Sequence, residues 1–392
     1  MNRKLTLVLT LLIALVATAT LAVAEPPRPG SAKADTPRPA ATRPAATKPA
    51  ATKPAVTKPA PAAPGPAEPA ALSLVVSPAW LAAHLDDPDL ILLHVGDADA
   101  YRTKHLPGAR RVTLDDLSVS VHDGTGLMLE LPPAGDLRHR LEALGISTDS
   151  RVVVYFGEDW VSPATRVVLT LDAAGLGAHA ALLDGGMPAW VRDGHAVTDA
   201  AAPARPGKLA ALALRPIIVD ATTVVASLGK PGFAVVDARD RAFYDGARTG
   251  GSPAHPHRTG HIAGALSIPF DSVFDDQLVL RSPDDLQARF TQAGVAPGDT
   301  VIGYCHIGQQ ATAMLFAARR LGHPVLLYDG SFEDWSQFHP GYPVERTPDK
   351  TTDKATDKAT GKATDKTPEK ASSKAPEKQT TKPTIKPTGA KP

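Results

Sequence analysis

The sequence predicts an α/β protein with two similar domains in tandem, each a parallel sheet flanked by helices, between a disordered N-terminal linker and a disordered C-terminal tail. Three observations support this prediction. One set of motifs occurs twice along the chain, apolar runs alternate with helical stretches in both copies, and both ends consist of short polar repeats. The 275 residues between these ends suit two domains of ordinary size.

The duplication covers the central part of the chain. Each copy contains an apolar run that leads into a polar residue, a tyrosine seven residues after that polar residue, a second apolar run, and a tryptophan after an Asp-Gly turn. The matching stretches, first copy before second, are 92–96 and 235–239, Tyr101 and Tyr244, 105–109 and 260–265, 152–156 and 301–305, and Trp190 and Trp335.

The apolar runs predict strands, and the segments after them predict helices. Runs 152–156 and 301–305 do not alternate with polar residues, which is typical of strands covered on both faces of a parallel sheet. Helical patterns follow over Pro163–Ala174 and Gln309–Leu321, each with a glycine just beyond its end. Because parallel strands are joined by right-handed crossovers, each copy is expected to form its own α/β domain.

The first residues indicate export. Arg3 and Lys4 precede the apolar stretch Leu5–Val23, and the small residues before Glu25 resemble a signal-peptidase site. Residues 1–24 are therefore interpreted as a signal peptide, with retention as a membrane anchor left open. The protein is expected in the periplasm, the cell envelope or the medium.

Two further segments are predicted not to fold. One repeats Ala-Thr-Lys/Arg-Pro-Ala, and the other places a lysine at every fourth position from Lys350 to Lys386, so neither can bury enough apolar surface to offset chain ordering. The predicted organisation is a signal peptide (1–24), a disordered linker (25–71), a non-catalytic domain (72–200), an inter-domain linker (201–215), a catalytic domain (216–346) and a disordered Lys-rich tail (347–392).

Charge separates the predicted core from its ends. Residues 72–346 contain 22 basic and 32 acidic residues, a net charge of −10, whereas both ends are basic. An acidic core gives no reason to expect a nucleic-acid partner. The basic ends are interpreted as solvated spacers, and weak contact with an anionic envelope surface is the alternative.

Cys305 is the strongest candidate for chemistry. It is the only cysteine in the 392 residues, and it lies between the apolar run Val301–Tyr304 and a helical pattern. A helix N-terminus offers unpaired N–H groups and the positive end of the helix dipole, and both favour a thiolate over a thiol. The alternative is that Cys305 serves as a small buried apolar residue.

Taken together, these motifs resemble the tandem-domain rhodanese family of thiosulfate and 3-mercaptopyruvate sulfurtransferases. The resemblance covers about residues 74–345. Its motifs in the second copy are Asp-Ala-Arg (237–239), Gly-His-Ile-x-Gly-Ala (260–265), Tyr-Cys-x-x-Gly-x-x-Ala (304–311) and Tyr-Asp-Gly-Ser-x-x-Asp-Trp (328–335).

The resemblance implies a persulfide mechanism without a metal or cofactor. Cys305 would accept the outer sulfur of thiosulfate, hold it as a persulfide, and pass it to cyanide or a thiol acceptor. The first domain would be non-catalytic, because Phe156 stands where the second copy has its cysteine. His94 and Gly96 likewise replace the Asp-x-Arg pair of the second copy. The first domain is therefore expected to cover the catalytic domain and to shape one wall of its pocket.

The candidate site extends over the loop after the cysteine, where backbone N–H groups would bind an anion and Gly308 would allow the required geometry. Asp237 and Arg239 are interpreted as an ion pair that orients this loop, with donor binding by Arg239 as the alternative. Arg241, Arg248 or Arg258 is expected to supply positive charge that the loop lacks. The loop comprises His306, Ile307, Gly308, Gln309 and Gln310.

His306 allows two interpretations at this stage. Protonated, it would lie in the pocket and favour the neighbouring thiolate. Alternatively, it points to solvent. Many family members carry arginine or lysine at this position, so its presence leaves the donor open between thiosulfate and 3-mercaptopyruvate. A persulfide carrier or envelope scaffold without turnover is the alternative from a different class.

Two other kinds of site are not expected. Cysteine phosphatases need Cys-x5-Arg, but Ala311 stands where that arginine would be. His255, His257 and His261 are spaced like metal ligands, but the set of four ligands is incomplete and no metal is predicted.

Overall fold

The computed structural model describes residues 71–158, 160–203 and 205–347. The predicted signal peptide, nearly all of the N-terminal linker and nearly all of the C-terminal tail lie outside the described residues. Two α/β domains follow one another within the described part, which confirms the predicted fold class. No helix among the described residues is long and apolar enough to cross a membrane.

The first domain is a five-stranded parallel sheet with the order β1-β5-β4-β2-β3. Its strands are β1 (Val75–Val76), β2 (Leu90–Val95), β3 (Arg110–Val112), β4 (Arg151–Phe156) and β5 (Ala180–Leu183). Its helices are α1 (Pro78–His84), α2 (Ala98–Thr103), α3 (Leu114–Leu117), α4 (Ala134–Ala143), α5 (Ser162–Ala173) and α6 (Gly186–Arg192).

The second domain repeats this sheet with the order β6-β11-β10-β7-β9, and β12 pairs with β8 in a separate antiparallel ribbon. Its strands are β6 (Ile218–Val219), β7 (Phe233–Asp237), β8 (His261–Ile262), β9 (Leu266–Ser267), β10 (Thr300–Tyr304), β11 (Val325–Tyr328) and β12 (Val344–Glu345). Its helices are α7 (Ala221–Ser227), α8 (Arg241–Tyr244), α9 (Pro283–Ala293), α10 (Ala311–Arg320) and α11 (Ser331–Gln337), with a 3₁₀ turn over Phe270–Val273.

The two helices predicted after the central strands are present with small shifts at their ends. Helix α5 begins one residue early, and α10 begins two residues late because the loop after Cys305 continues to Gln310. Both helices end one residue earlier than predicted, and each is followed after its cap by a glycine in the left-handed region, with φ +87° at Gly175 and +88° at Gly322. Glycine adopts this conformation without a Cβ penalty, which stops each helix at a defined place.

Equivalent side chains hold the same backbone in both domains. The Tyr155 hydroxyl accepts the N–H of Leu106 at 3.0 Å, and the Tyr304 hydroxyl accepts the N–H of Ile262 at 3.0 Å. All four residues are buried, so each tyrosine satisfies a backbone donor that has no access to water. The duplicated motifs therefore encode a framework of side-chain to backbone hydrogen bonds.

The two domains meet along α5 and α10, which pack against each other. The hydroxyl groups of Thr165 and Thr312 lie 2.8 Å apart across this contact, and the two threonines occupy matching positions in the two copies. Both side chains are buried. The domains are therefore related by an approximate two-fold axis that passes between these hydroxyl groups.

Each domain also extends a loop over the sheet of the other. The N–H of Leu131 donates to Asp329 at 2.9 Å, and the N–H of Leu280 donates to Asp184 at 2.9 Å. These exchanged loops place first-domain backbone next to the turn that supports the cysteine loop. The fold therefore brings both domains to the candidate site.

Candidate active site

Cys305 lies directly after β10, where the strand ends and the loop to α10 begins. The residue is 0% exposed. Its N–H donates to the Ser331 hydroxyl at 3.2 Å, and its carbonyl accepts the N–H of Phe332 at 3.1 Å. These bonds fasten the backbone of the cysteine to the start of α11. A small donor molecule reaches the Cys305 Sγ only when neighbouring atoms move aside.

The loop from His306 to Gln310 leaves its backbone donors free. None of the five N–H groups has an acceptor among the described residues. Gly308 has φ +78°, and a Cβ at this position would lie 2.6 Å from the Asp329 carbonyl oxygen, so only glycine fits. A loop of unpaired N–H groups beside a thiol is suited to an anionic sulfur species, because each N–H group contributes positive partial charge.

Asp237 and Arg239 form a buried ion pair beside the loop. Their side chains are 0% and 1% exposed, and the Arg239 Nη2 donates to Asp237 Oδ2 at 2.6 Å. The same nitrogen donates to the Gly260 carbonyl at 2.7 Å, and the guanidinium carbon lies 4.0 Å from the centre of the Phe332 ring. The guanidinium is therefore engaged on several sides, an arrangement that suits a positioning role better than donor binding.

Arg166, in α5 of the first domain, reaches the cysteine loop and was missed in the sequence. Its Nη1 donates to the Gly308 carbonyl at 3.0 Å and to Asp329 Oδ1 at 2.5 Å, and its Nη2 donates to the Leu129 carbonyl at 2.5 Å. Arg166 and Asp329 are each 3% exposed. A charged side chain in an otherwise apolar helical pattern was the available signal, because a buried charge needs a partner.

Gln309 ties the loop to the same helix. Its Nε2 donates to the Ser162 hydroxyl at 3.1 Å, and both residues are buried. Gln309 thus contacts the first domain through its side chain while its backbone belongs to the cysteine loop. The first domain fixes the loop at two points, through Arg166 and through Ser162.

His306 is not the protonated side chain of its first sequence interpretation. Burial, followed by the charges of Arg239, His257 and Arg248, lowers its pKa to about 3, so the imidazole is neutral near pH 7. The ring packs edge-on against Phe243 with centroids 4.6 Å apart, and its Nδ1 is buried without a partner. The proposal of a protonated His306 that favours the thiolate is therefore wrong, and the side chain is partly exposed to solvent.

A short hairpin over residues 250–257, here called the covering hairpin, rests on His306. Its ends are joined by a hydrogen bond from the His257 N–H to the Gly250 carbonyl at 2.9 Å. A Cβ at Gly250 would lie 2.6 Å from the His306 ring, so the backbone of the hairpin directly contacts the imidazole. The covering hairpin therefore covers one side of His306, next to the cysteine.

Arg241 lies on the surface of α8. Its side chain is 59% exposed, pairs with Asp245 at 3.1 Å, and lies 5.0 Å from the Tyr244 ring centre. Arg248 is nearer to the loop, because it stacks 4.6 Å from the Phe243 ring centre and acts on the pKa of His306. The structure therefore does not bring Arg241 to the cysteine loop, since the short helix α8 turns it outwards, and Arg248 is the nearer exposed cation.

The three histidines with metal-like spacing serve separate contacts. The Nδ1 of His261 donates to the Tyr244 carbonyl at 2.7 Å, and its Nε2 lies 3.1 Å from Glu345. His257 lies under the covering hairpin, and burial together with Arg239 lowers its pKa to about 4. Among the described residues, no group of three His, Cys, Asp or Glu side chains is placed to hold a metal ion.

Comparison with known proteins agrees with this arrangement. The family model described as "Rhodanese-like domain" matches residues 77–193 and 220–338. A Pseudomonas aeruginosa protein named "Probable 3-mercaptopyruvate sulfurtransferase" is 35% identical over 268 residues, covering 65% of this chain and 92% of that protein. A second protein from this organism, named "Thiosulfate sulfurtransferase", is 32% identical over 278 residues, covering 70% and 97%.

A solved structure of the same fold also matches this chain. SseA from Escherichia coli, described under the "Rhodanese" fold of 3-mercaptopyruvate sulfotransferases, is 28% identical with a TM-score of 0.58, covering 66% of this chain and 99% of that one. Two tandem α/β domains with a single cysteine-bearing loop define the class of two-domain sulfurtransferases. The chain belongs to the rhodanese family, with two rhodanese-like domains, and its relatives support sulfurtransferase activity.

Proposed function

We propose that the protein transfers the outer sulfur of thiosulfate to cyanide or a thiol acceptor through a persulfide on Cys305. The Cys305 thiolate attacks the outer sulfur of thiosulfate, the S–S bond of the donor breaks, and its electron pair leaves with sulfite. The acceptor then attacks the terminal sulfur of the persulfide, and the Cys305 thiolate is regenerated. No external oxidant or reductant is required in either step.

The observation that carries this proposal is the run of free backbone donors directly after the one cysteine. The N–H groups of residues 306–310, which follow Cys305 in the chain, have no acceptor among the described residues. A persulfide is anionic, and so is the sulfite that leaves, so both gain from these donors as charge moves between them. Arg166 and the Asp237–Arg239 pair would keep the loop in this geometry.

A second donor, 3-mercaptopyruvate, is favoured by the neutral side chains of the loop. His306 is uncharged near pH 7, and the other polar side chains of the loop are the amides Gln309 and Gln310. Thiosulfate is a dianion and 3-mercaptopyruvate a monoanion, so a neutral loop in an acidic core opposes thiosulfate more strongly. With this donor, the C–S bond breaks and its electron pair leaves on the enolate of pyruvate.

The test is steady-state turnover of the full-length chain with cyanide, with thiosulfate and 3-mercaptopyruvate offered in parallel. The expected result is saturable thiocyanate formation from thiosulfate that falls to background in Cys305→Ser. A larger kcat/KM with 3-mercaptopyruvate than with thiosulfate would show that 3-mercaptopyruvate is the preferred donor. A stable Cys305 persulfide, seen by mass spectrometry without turnover of either donor, would overturn the proposal of an enzyme and favour a persulfide carrier.

Export is proposed as the setting of this reaction, on the basis of the signal-like residues 1–24. Fractionation of cells that express the full-length chain tests this. The expected result is a product that starts near Glu25 and lies outside the cytoplasm. Recovery of the intact chain from the cytoplasm would contradict the proposal.

A further inference from the structure

The first domain contains a cavity of about 430 Å³ where the second domain has its active site. The cavity lies at the carboxyl ends of β2, β3 and β4, and Val95, Val112, Leu114 and Pro163 give it apolar walls. Ligands of α/β sheets bind at this end of the strands. A volume of this size suits a small organic molecule, because ligand pockets typically measure about 300–1,000 Å³.

The cavity is open because two large side chains of the second domain have small counterparts in the first. Gly96 occupies the position of Arg239, and Ala100 occupies the position of Phe243. In the second domain Arg239 packs on Phe332, and the ring of Phe243 packs against the cysteine loop. The first domain thus keeps the backbone shape of the site but lacks the two large side chains that fill it in the second domain.

A buried histidine without partners lies at the floor of this cavity. His94 is 0% exposed, and neither ring nitrogen has a hydrogen-bond partner among the described residues. Burial, followed by the charges of His105 and Arg111, lowers its pKa to about 4, so the ring is neutral. A neutral imidazole offers one donor and one acceptor, and leaving both unpaired in a buried site is unfavourable.

The ring of His94 is held where glycines make room for it. A Cβ at Gly96 would lie 2.6 Å from its Nε2, and a Cβ at Gly157 would lie 2.7 Å from its Cε1 and 2.9 Å from its Nε2. Both glycines also line the cavity. The Nε2 edge is therefore covered by the backbone of these two glycines, directly beneath the cavity.

The mouth of the cavity is acidic and aromatic. Asp97 and Glu158 are exposed at its rim, and Trp160 is 54% exposed beside them. No lysine or arginine is among the described residues that line the cavity. Carboxylates repel anions, and an indole face attracts cations. The rim therefore selects a positive group and disfavours the anionic donors of the second domain.

We propose that this cavity is a second binding site, specific for a small aromatic amine in its protonated form. The apolar body of the ligand enters the cavity beyond the ends of β2 and β4, above Gly96 and Gly157, while the ammonium group remains at the rim beside Asp97 and Trp160. The site belongs to the first domain and does not depend on sulfur transfer by Cys305. Its catalytic-domain neighbour is Gln309, which lines the cavity and belongs to the cysteine loop.

The test is isothermal titration calorimetry of the full-length chain with tryptamine, with indole-3-acetate as the probe that has the same ring but the opposite charge. Tryptamine is expected to bind with saturation at one site, and indole-3-acetate at least ten-fold more weakly. Equal binding of the two probes would overturn the assignment of a cation site. No saturable binding of tryptamine would overturn the site itself.

Three variants locate the binding. Ala100→Phe introduces the residue of the second domain and is expected to abolish tryptamine binding by filling the cavity, whereas Ala288→Phe, at an exposed position of α9, leaves it unchanged. Asp97→Asn keeps a side-chain acceptor for the start of α2 and removes the charge, so a roughly five- to ten-fold loss is expected. Undiminished binding in Ala100→Phe, with a native unfolding midpoint, would contradict the location.

Discussion

The two domains share a framework and differ where their strands end. In both, a buried tyrosine hydroxyl accepts a backbone N–H at 3.0 Å, from Leu106 in the first domain and from Ile262 in the second. At the carboxyl end of the central strands, the second domain has the buried Asp237–Arg239 pair, whereas the first has a neutral His94 and Gly96. Fold is therefore encoded in the repeated motifs, and chemistry in a few positions that the repeat leaves free to change.

The domains also differ in the hydrogen bonds and ion pairs that each accepts from the other. Asp329 and Asp184 each accept a backbone N–H from the opposite domain at 2.9 Å. Only Asp329 gains an arginine as well, because Arg166 has Ala313 as its counterpart in α10. Burial raises the pKa of Asp184, which lacks such a cation. Arg166, which has no arginine counterpart in the second domain, therefore pairs with the domain that carries the cysteine.

The largest expected effect on stability comes from removing one member of the Asp237–Arg239 pair, which only the second domain has. Arg239→Gly, which introduces the residue of the first domain, leaves Asp237 buried and unpaired, so the free energy of unfolding is expected to fall by about 4 kcal/mol. Urea unfolding measures this. The matched variant carries Asp237→His as well, and is expected to recover part of the loss because no charge stays unpaired. A double variant less stable than the single one would show that the unpaired charge of Asp237 is not the cause of the lost stability.

Arg166→Met tests whether the first domain positions the cysteine loop. The free energy of unfolding is expected to fall by about 3 kcal/mol, because the buried Asp329 loses its cation and keeps the N–H of Leu131. Turnover should fall about ten-fold because the Gly308 carbonyl loses its donor. The control is Arg319→Met, which also bonds across the domains, to the Gly177 carbonyl at 3.1 Å, but lies away from the loop. Equal turnover losses in both variants would contradict a positioning role.

A pH series compares one buried histidine from each domain. His306 and His94 have pKa values of about 3 and 4, below the ordinary 6.5, so at lower pH the unfolded chain binds protons that the folded chain does not. The free energy of unfolding is therefore expected to fall as pH drops from about 6.5 towards 4. His306→Gln or His94→Gln should each reduce this slope by about 1.4 kcal/mol per pH unit. An unchanged slope would show that the histidine titrates normally.

The smallest expected effect concerns the axis between the domains. Thr312→Val removes the hydrogen bond to Thr165 at 2.8 Å and should lower the free energy of unfolding by about 1 kcal/mol. Thr165→Val is the symmetric variant with a similar expected loss. Because both remove the same bond, the double variant should lose less than the sum of the two losses. Full additivity would mean that the threonines do not interact.

The fold could be predicted from the sequence because its signals are local and occur twice. Two apolar runs of five residues, each followed by a helical pattern and a glycine, predict two parallel sheets, and the ends of α5 and α10 differ from the prediction by one or two residues. The cysteine loop was located for the same reason, since it follows the strand of the second copy. These features depend on neighbours in sequence.

The parts of the site that escaped prediction depend on contacts between distant segments. Arg166 reaches Gly308 from another domain, and no local pattern shows that the two meet. The neutral state of His306 results from the covering hairpin, which buries the ring after the chain has folded back over it. Arg241 was proposed from sequence proximity, but its helix turns it to solvent.

The complete burial of Cys305 has a consequence for the chemistry of the protein with oxidants and with itself. The chain contains no second cysteine, so any disulfide would have to join two molecules. A disulfide requires the two sulfur atoms to approach to about 2.05 Å, with Cα atoms about 4.4–6.8 Å apart. A side chain that is 0% exposed cannot meet its equivalent in a second folded copy at that distance. The folded protein is thereby protected from covalent dimerisation, while a small donor still needs only a local opening of the covering hairpin.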